Sequence, residues 1–421
     1  MIPKINIPGT RGKHHLDLMH GEASASPSGT THGTSHVKPG SVRWSAHRQH
    51  DAWFLLFVLL LAGGTILALS SIGTALQKQA SVTQPGAPPT VPTSATGGTP
   101  APTAVAVVHA ARSRLYRVPS ANVGLMQPAV DTQENVWVGE MYANRFARLD
   151  SQTGVVTTWE PPDAKYGIMT TTVDAHGNPW FVEQGANYIG RFDPVRQTFR
   201  IFPLGTVNGR PMGPQALQFD ASGKLWFTAV TAGRIGRLDP TTGAIQTWPV
   251  PPPTTGILPY PFSLTVTPAG QVWFGLLSGG AVGHLDPTTG RVRLYHLTDP
   301  QAQIFSMTSD ARGRIWFTEI VPGKLGMLDP TTNRVTELPV PTIAGHPAAL
   351  YGIVVTHNGE VWFANNGANA LVRYSPSNAT FTFFQLSLPS SGLYGLTLDK
   401  ASRLWFTASG QSANYVGEMT P

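Results

Sequence analysis

The chain has 421 residues and a formal net charge of +6, and only 12% of its residues are charged. It contains no cysteine, which excludes disulfides, thiolate metal sites and redox chemistry at sulfur. The basic residues form no stripe, so the sequence predicts no nucleic-acid partner. Its 44 glycines and 37 prolines favour many turns and short strands over long surface helices.

Residues 1–51 are rich in Gly, Ser, Thr, Pro and His and show no apolar periodicity. A segment of this composition cannot bury enough apolar surface to fold. The sequence therefore predicts a disordered N-terminal tail.

The stretch "AWFLLFVLLLAGGTILALSSIG", residues 52–73, contains no charged residue. As a helix it would be about 33 Å long, enough to cross the hydrocarbon layer of a membrane. Basic residues precede it, whereas only Lys78 lies between it and Arg112, which predicts a cytoplasmic N-terminus. A cleaved signal peptide is the alternative. Because 51 residues precede the apolar stretch, we expect an uncleaved, single-pass signal anchor in the cell membrane.

Residues 74–111 contain six prolines among Thr, Ala and Gly. This composition predicts a linker that is stiff where the prolines cluster. We expect it to hold an extracytoplasmic domain away from the membrane.

Tryptophan recurs through the rest of the chain at spacings of 43, 46, 47, 43, 46 and 43 residues. Each copy lies in a similar frame, such as "KLWFTA" or "RIWFTE". The seven copies are Trp137, Trp180, Trp226, Trp273, Trp316, Trp362 and Trp405. Self-similarity at a period of about 45 residues predicts a repeat architecture.

Within a unit the apolar residues alternate, as "YGIVVT", "EVWFAN", "ALVRYS" and "TFTFFQL" do in the sixth. Four short antiparallel strands cannot cover both of their faces, but sheets arranged around an axis cover one another. The sequence thus predicts an all-β, seven-bladed β-propeller of four-stranded antiparallel blades. The last unit lacks a fourth strand, which "RLYRVP" at 114–119 resembles. We expect residues 112–421 to form the propeller, closed by this N-terminal strand.

The segments "LWFTAVTAGRIGRLDPTTGAIQTWPVP" and "IWFTEIVPGKLGMLDPTTNRVTELPVP" resemble the streptogramin B lyase (virginiamycin B lyase) family over residues 112–421. The resemblance implies a lyase that uses Mg²⁺ and opens the ester bond of a cyclic depsipeptide by elimination. It also implies an active site at one mouth of the channel. There the family combines a His at the start of a first strand with the Glu of "WFTE".

This chain keeps only part of that pattern. The Glu place, three residues after each Trp, holds carboxylates in three units: Glu140, Glu183 and Glu319. These three are the predicted catalytic residues, should the chain be an enzyme. The His place, eleven residues before each Trp, holds no His. It is occupied by Met126, Met169, Gln215, Phe262, Phe305, Tyr351 and Tyr394.

First-strand starts and second-strand ends meet at one rim, so these side chains are predicted to form a ring there. Two interpretations stay open. The ring either plugs the channel or lines a pocket for an apolar or cyclic ligand. The predicted ligand-binding residues are Gln215, Phe262, Phe305, Tyr351, Tyr394, Asn365 and His346. Glu140 and Glu183, on adjacent blades, are the predicted ligands of a shared Mg²⁺ or Ca²⁺.

Two classes of function follow from the sequence. The first is a membrane-anchored, extracytoplasmic binding or interaction module with its site at the channel mouth. The second is an enzyme, either a metal-dependent lyase of a cyclic depsipeptide or a hydrolase of lactones or sugars. Because no His occupies any of the seven places, we favour the binding module.

Overall fold

The computed structural model describes residues 104–108, 113–119, 123–162, 167–388, 392–409 and 414–421. The predicted tail, the apolar segment 52–73 and the linker up to residue 103 lie outside these ranges. In the part that is described, no helix is long and apolar enough to cross a membrane.

Seven sheets built of antiparallel strands follow one another along the chain, one for each of the seven tryptophans of the repeat. Blade 1 consists of β3 (Ala129–Val130), β4 (Val136–Glu140), β5 (Arg145–Leu149) and β6 (Val156–Trp159), and blade 2 of β7 (Ile168–Val173), β8 (Pro179–Glu183), β9 (Tyr188–Asp193) and β10 (Thr198–Pro203). Blade 3 consists of β13 (Pro214–Phe219), β14 (Leu225–Ala229), β15 (Arg234–Leu238) and β16 (Ile245–Pro249). Blade 4 consists of β17 (Pro261–Val266), β18 (Val272–Leu276), β19 (Ala281–Asp286) and β20 (Arg291–His296).

Blade 5 consists of β21 (Ile304–Ser309), β22 (Ile315–Glu319), β23 (Lys324–Asp329) and β24 (Arg334–Pro339). Blade 6 consists of β25 (Leu350–Val355), β26 (Val361–Asn365), β27 (Ala370–Ser375) and β28 (Thr380–Gln385). Blade 7 consists of β29 (Leu393–Leu398), β30 (Leu404–Ser409), β31 (Asn414–Met419) and β2 (Arg114–Val118). The remaining strands are β1 (Ala104–Val108) and a small hairpin, β11 (Thr206–Val207) and β12 (Arg210–Pro211).

The ring of blades is closed as predicted. The N-terminal strand β2 pairs antiparallel with β31, with Tyr116 opposite Val416 and Arg114 opposite Glu418. The seventh blade therefore takes its outer strand from the beginning of the domain and its other three from the end. The seven-bladed propeller predicted from the sequence is confirmed.

Alternation on the second strand of each blade builds the core. Trp and the following Phe point to opposite faces, and both are buried in blades 2 to 7. In blades 2, 3, 4, 5 and 7 the residue opposite this Phe on the third strand is Gly, whereas in blade 6 Phe363 lies opposite Val372. In blade 5 a Cβ on Gly326 would lie 2.0 Å from Cε2 of Phe317, which no side chain tolerates. The repeated Gly of the third strand thus makes room for the aromatic ring.

A carboxylate anchors the indole in five blades. The Asp six residues before the Trp accepts the indole N–H at 2.8–3.0 Å, and its other oxygen accepts backbone N–H groups of the turn. These residues are Asp131, Asp174, Asp220, Asp310 and Asp399. Blades 4 and 6 have Thr267 and Thr356 instead, and there the indole nitrogens have no hydrogen-bond partner in the described residues.

The end of the predicted linker differs from expectation. Ala104–Val108 is not linker but a fifth strand, paired in parallel with β28 at the outer edge of blade 6. Its sequence, "AVAVV", is free of proline and rich in β-branched residues, and the outer edge of β28 offers unpaired backbone groups. The proline-rich composition that predicted a linker applies only to the residues before it.

Candidate functional site

The side chains at the seven His places converge on the propeller axis. Phe305 of blade 5 packs against Phe262 of blade 4, with ring centroids 5.1 Å apart, and contacts Tyr351 of blade 6 at 4.7 Å. It also meets Tyr394 of blade 7 at 5.2 Å, so contacts reach beyond neighbouring blades. We call the seven residues at the His places the axial ring. All of them are buried, at 9% exposure or less.

A β-bulge directs six of these seven side chains, those of blades 2 to 7. In blade 5, Ile304 pairs with Glu319 and Ser306 with Thr318, which leaves Phe305 as the extra residue. The register shifts at the corresponding point in blades 2, 3, 4, 6 and 7. A bulge bends its strand and changes the direction of the extra side chain. It is therefore the bulge that turns these six side chains toward the axis.

The threonine of "WFT" joins adjacent blades at the axial ring. The hydroxyl of Thr318 accepts the backbone N–H of Ser306 at 3.2 Å and donates to the carbonyl of Tyr351, in the next blade, at 2.7 Å. Thr228 and Thr407 make the same pair of hydrogen bonds in blades 3 and 7. Sequence reasoning missed this contact, although the repeated letters "WFT" were its signal.

The axial ring closes one end of a central channel. The cavity has a volume of about 560 Å³ and is lined by first-strand residues of all seven blades. Gln215, Phe262, Phe305 and Tyr394 lie at its closed end. Its lining extends to Asp220 and other residues of the turns between first and second strands, at the opposite end of the blades. The channel thus reaches the end opposite the predicted mouth.

Two of the predicted catalytic carboxylates are held by their own hairpins. Glu140 is fully buried, and its Oε2 accepts hydrogen bonds from Arg145, with Nη2 at 2.6 Å and Nε at 2.9 Å. Glu183 is also fully buried, and its Oε2 accepts the backbone N–H of Ala186. Both side chains therefore stabilise the turn between the second and third strands.

Asn365 has the same role in blade 6. Its Oδ1 accepts the backbone N–H groups of Ala349 and Ala368, both at 3.2 Å, and its side chain is 1% exposed. It fastens the loop before the first strand to the loop after the second. His346 is exposed on that first loop and does not line the channel.

Glu319 differs from the other residues at the Glu place. It is fully buried, and neither carboxylate oxygen has a hydrogen-bond partner among the described residues. Lys324, opposite it on the next strand, instead binds Glu337 at 2.9 Å and Thr298 at 3.2 Å. Burial raises the pKa of Glu319 to about 8, and the negative charges of Glu337 and Asp299 act in the same direction. The positive charge of Lys324 acts in the opposite direction but does not cancel these effects. Its carboxyl group is therefore mostly protonated at neutral pH.

The tyrosines of the axial ring are also neutral. Burial raises the pKa of the Tyr394 phenol well above its ordinary value and raises that of Tyr351 as well. At physiological pH both phenols are potential hydrogen-bond donors and neither is a base.

These residues fit a resident Mg²⁺ or Ca²⁺ poorly. One oxygen of Glu140 is neutralised by Arg145, one oxygen of Glu183 is bound by a backbone N–H, and Glu319 is protonated at neutral pH. A hard divalent ion is bound by oxygen ligands that include at least one or two carboxylates free to coordinate it. In the described ranges no three Asp, Glu or His residues are placed to hold a metal ion. The ion shared by Glu140 and Glu183 stays a prediction.

Comparison with known proteins gives a family and a fold. The virginiamycin B lyase family matches residues 111–419. Virginiamycin B lyase from Staphylococcus aureus is 23% identical, with 74% of this chain and 99% of that chain covered and a TM-score of 0.65. A streptogramin B lyase structure is 27% identical, with 73% and 97% covered and a TM-score of 0.63.

A third related structure carries information on catalysis in its own protein. It is a catalytically inactive His-to-Ala variant of the S. aureus lyase with quinupristin, 22% identical to this chain, with 73% and 99% covered and a TM-score of 0.65. No curated protein sequence matches the chain. The matched family model covers every blade, and the paired sheets have the predicted seven-bladed architecture. The chain belongs to the virginiamycin B lyase family.

Proposed function

We propose that the chain is a membrane-anchored, extracytoplasmic binding propeller that takes a small ligand into its central channel. One observation carries this proposal. The axial ring closes one end of a channel of about 560 Å³, within the roughly 300–1,000 Å³ typical of small-molecule sites. Of the predicted ligand-binding residues, Gln215, Phe262, Phe305 and Tyr394 line it.

The same geometry argues against lyase chemistry. A general base must reach within about 2.6–3.2 Å of the proton it removes. The His places hold Met, Gln, Phe and Tyr, all buried, and the three carboxylates at the Glu places are fully buried. None of these carboxylates lines the channel. The proposed binding module therefore needs no catalytic step.

The lyase assay tests this part of the proposal directly. The full chain, purified in nanodiscs, is incubated with a streptogramin B antibiotic and Mg²⁺, and the products are followed by mass spectrometry. The S. aureus virginiamycin B lyase serves as the active control. We expect intact cyclic antibiotic after this chain; a linear product would overturn the proposal.

A metal-dependent lyase or a hydrolase of lactones or sugars is the second candidate, and Glu319 favours it. Buried carboxyl groups with strongly raised pKa values occur often at active sites. If Glu319 were the acid or base of such a reaction, Glu319→Gln would abolish turnover while substrate still bound. A screen of cyclic esters, lactones and glycosides with the unaltered chain and this variant decides between the two candidates.

The membrane anchor is tested by fractionation. The proposal rests on the uncharged stretch at 52–73 and on the basic residues before it. We expect the full chain in the membrane fraction and a chain without residues 1–73 in the soluble fraction. A protease added to intact cells should cut the linker 74–103. Recovery of the full chain in the soluble fraction would contradict the anchor.

The predicted divalent ion has its own test. Calorimetric titration of the full chain with Mg²⁺ or Ca²⁺ should show heat that Glu183→Gln removes, if Glu140 and Glu183 share an ion. No heat with either ion would remove the metal from the proposal and leave channel binding untouched.

A further inference from the structure

We infer that the ligand of the central channel is a neutral mono- or disaccharide. The inference rests on the proposed function and specifies its ligand. It is carried by three properties of the channel: an aromatic floor, walls of neutral hydroxyl groups, and the scarcity of charge in its lining.

The floor is aromatic because the axial ring closes the channel. Phe262, Phe305 and Tyr394 are aromatic residues of the lining, and the ring of Phe305 contacts the rings of both others. The C–H face of a pyranose is apolar and flat, and an aromatic floor can bury it. The phenol of Tyr394 is neutral at physiological pH, and burial raises its pKa further.

The walls carry hydroxyl groups at one level of the propeller. The first-strand residue that pairs opposite the blade's tryptophan is Thr in blades 2, 4, 5 and 7, because the repeat places it in the same register. We call Thr172, Thr265, Thr308 and Thr397 the hydroxyl layer; all four line the channel. A sugar presents hydroxyl groups in several directions, and a layer shared by four blades can meet them from several sides.

Three members of the hydroxyl layer are available for a ligand. Thr172, Thr308 and Thr397 are only partly buried, and their hydroxyls make no hydrogen bond within the described ranges. Both ends of one long amide of the lining, that of Gln218, are already used. Gln218 binds the backbone N–H and carbonyl of Val266 across the blade boundary, at 3.0 and 3.1 Å.

Charge is nearly absent from the lining. Asp220 is the only Asp, Glu, Lys, Arg or His among the described lining residues. Its carboxylate is already engaged by Trp226, Ser222 and the backbone N–H of Lys224. An ionic ligand would lose its hydration without gaining a counterion, which is costly in a narrow channel. The lining therefore disfavours phosphorylated sugars, nucleotides and amino acids.

The test uses the full chain in nanodiscs, because common maltoside detergents themselves carry sugars. Glucose, maltose and trehalose are titrated, and binding is followed by saturation-transfer NMR and by the rise of the melting temperature with ligand concentration. Glucose 6-phosphate is the charged control. We expect binding of at least one neutral sugar and none of the phosphate ester.

Three variants locate the site. Thr308→Val removes one hydroxyl and keeps the side-chain shape, so it should weaken sugar binding about five- to tenfold, the effect of one lost hydrogen bond. Thr288→Val, on an exposed turn outside the channel, is the matched control and should leave affinity unchanged. Thr308→Trp fills the channel and should abolish binding. The melting temperature of each variant without ligand shows that it is folded.

The outcomes separate the two levels of the proposal. If neutral sugars fail to bind but a charged probe, or quinupristin as a cyclic apolar one, binds and is blocked by Thr308→Trp, the sugar class is wrong and channel binding stands. If none of these probes binds, both fall. Sugar binding that Thr308→Val and Thr308→Trp leave unchanged places the sugar outside the channel and also overturns the inference.

Discussion

Glu319 gives the sharpest prediction, because its buried carboxyl group links folding to pH. The pKa of this group is about 8 in the folded chain, against 4.5 for an ordinary Glu. Between these values the folded state holds a proton that the unfolded state has lost. Stability therefore falls as the pH rises from about 4.5 to 8 and changes no further above that. The difference between a pKa of 4.5 and one of about 8 corresponds to about 5 kcal/mol.

Glu319→Gln removes this titration. A neutral amide in the same site carries a cost that does not depend on pH. The free energy of unfolding of the variant minus that of the unaltered chain should thus increase by about 5 kcal/mol from pH 4.5 to pH 8.5. Urea denaturation at a series of pH values, followed by tryptophan fluorescence, measures it. Glu160→Gln, which changes an exposed carboxylate, is the control and should give a nearly constant difference.

Parallel stability curves for Glu319→Gln and the unaltered chain would refute this reasoning. They would mean that Glu319 is ionised at neutral pH. The ammonium of Lys324, which now binds Glu337, is the nearest candidate to stabilise that charge.

Three further predictions concern the architecture. Phe305→Ala should lower the free energy of unfolding by about 3–5 kcal/mol, because Phe305 contacts three other rings. Phe305→Leu, which keeps more of the apolar side chain, should lower it less. Equal losses for the two variants would contradict the packing argument. Thr356→Asp should raise the free energy of unfolding by about 1 kcal/mol, because an Asp there can accept a hydrogen bond from the indole N–H of Trp362, which has no partner among the described residues. Arg373, whose guanidinium lies over the Trp362 ring, is close to the added negative charge. A lower urea midpoint would count against this prediction. A chain that begins at residue 123 lacks Arg114–Val118 and exposes the edge of β31, so we expect it to aggregate in gel filtration. A chain that begins at residue 104 keeps this strand and should elute as a monomer. Identical elution of the two chains would contradict closure by this strand.

The sequence by itself determined the repeat, the number of blades and their closure. A spacing of about 45 residues between tryptophans fixes the size of one sheet, and alternation within it fixes the strands. "RLYRVP" revealed the closing strand because it resembles the other fourth strands. Equal offsets from each tryptophan also identified the residues of the axial ring. These features repeat in the chain, so a single sequence carries the same pattern several times.

Only the tertiary structure decided what surrounds each of those residues. Phe305 packs against residues up to 89 positions away, in three different blades, and no local pattern states which rings meet. Glu140 and Glu319 occupy the same place in the repeat, yet one binds Arg145 and the other binds nothing in the described ranges. The strand at Ala104–Val108 likewise depends on the free edge of β28. Repetition encodes the blades, whereas the chemistry at the axis depends on the residues that differ between copies and come together only when the propeller closes.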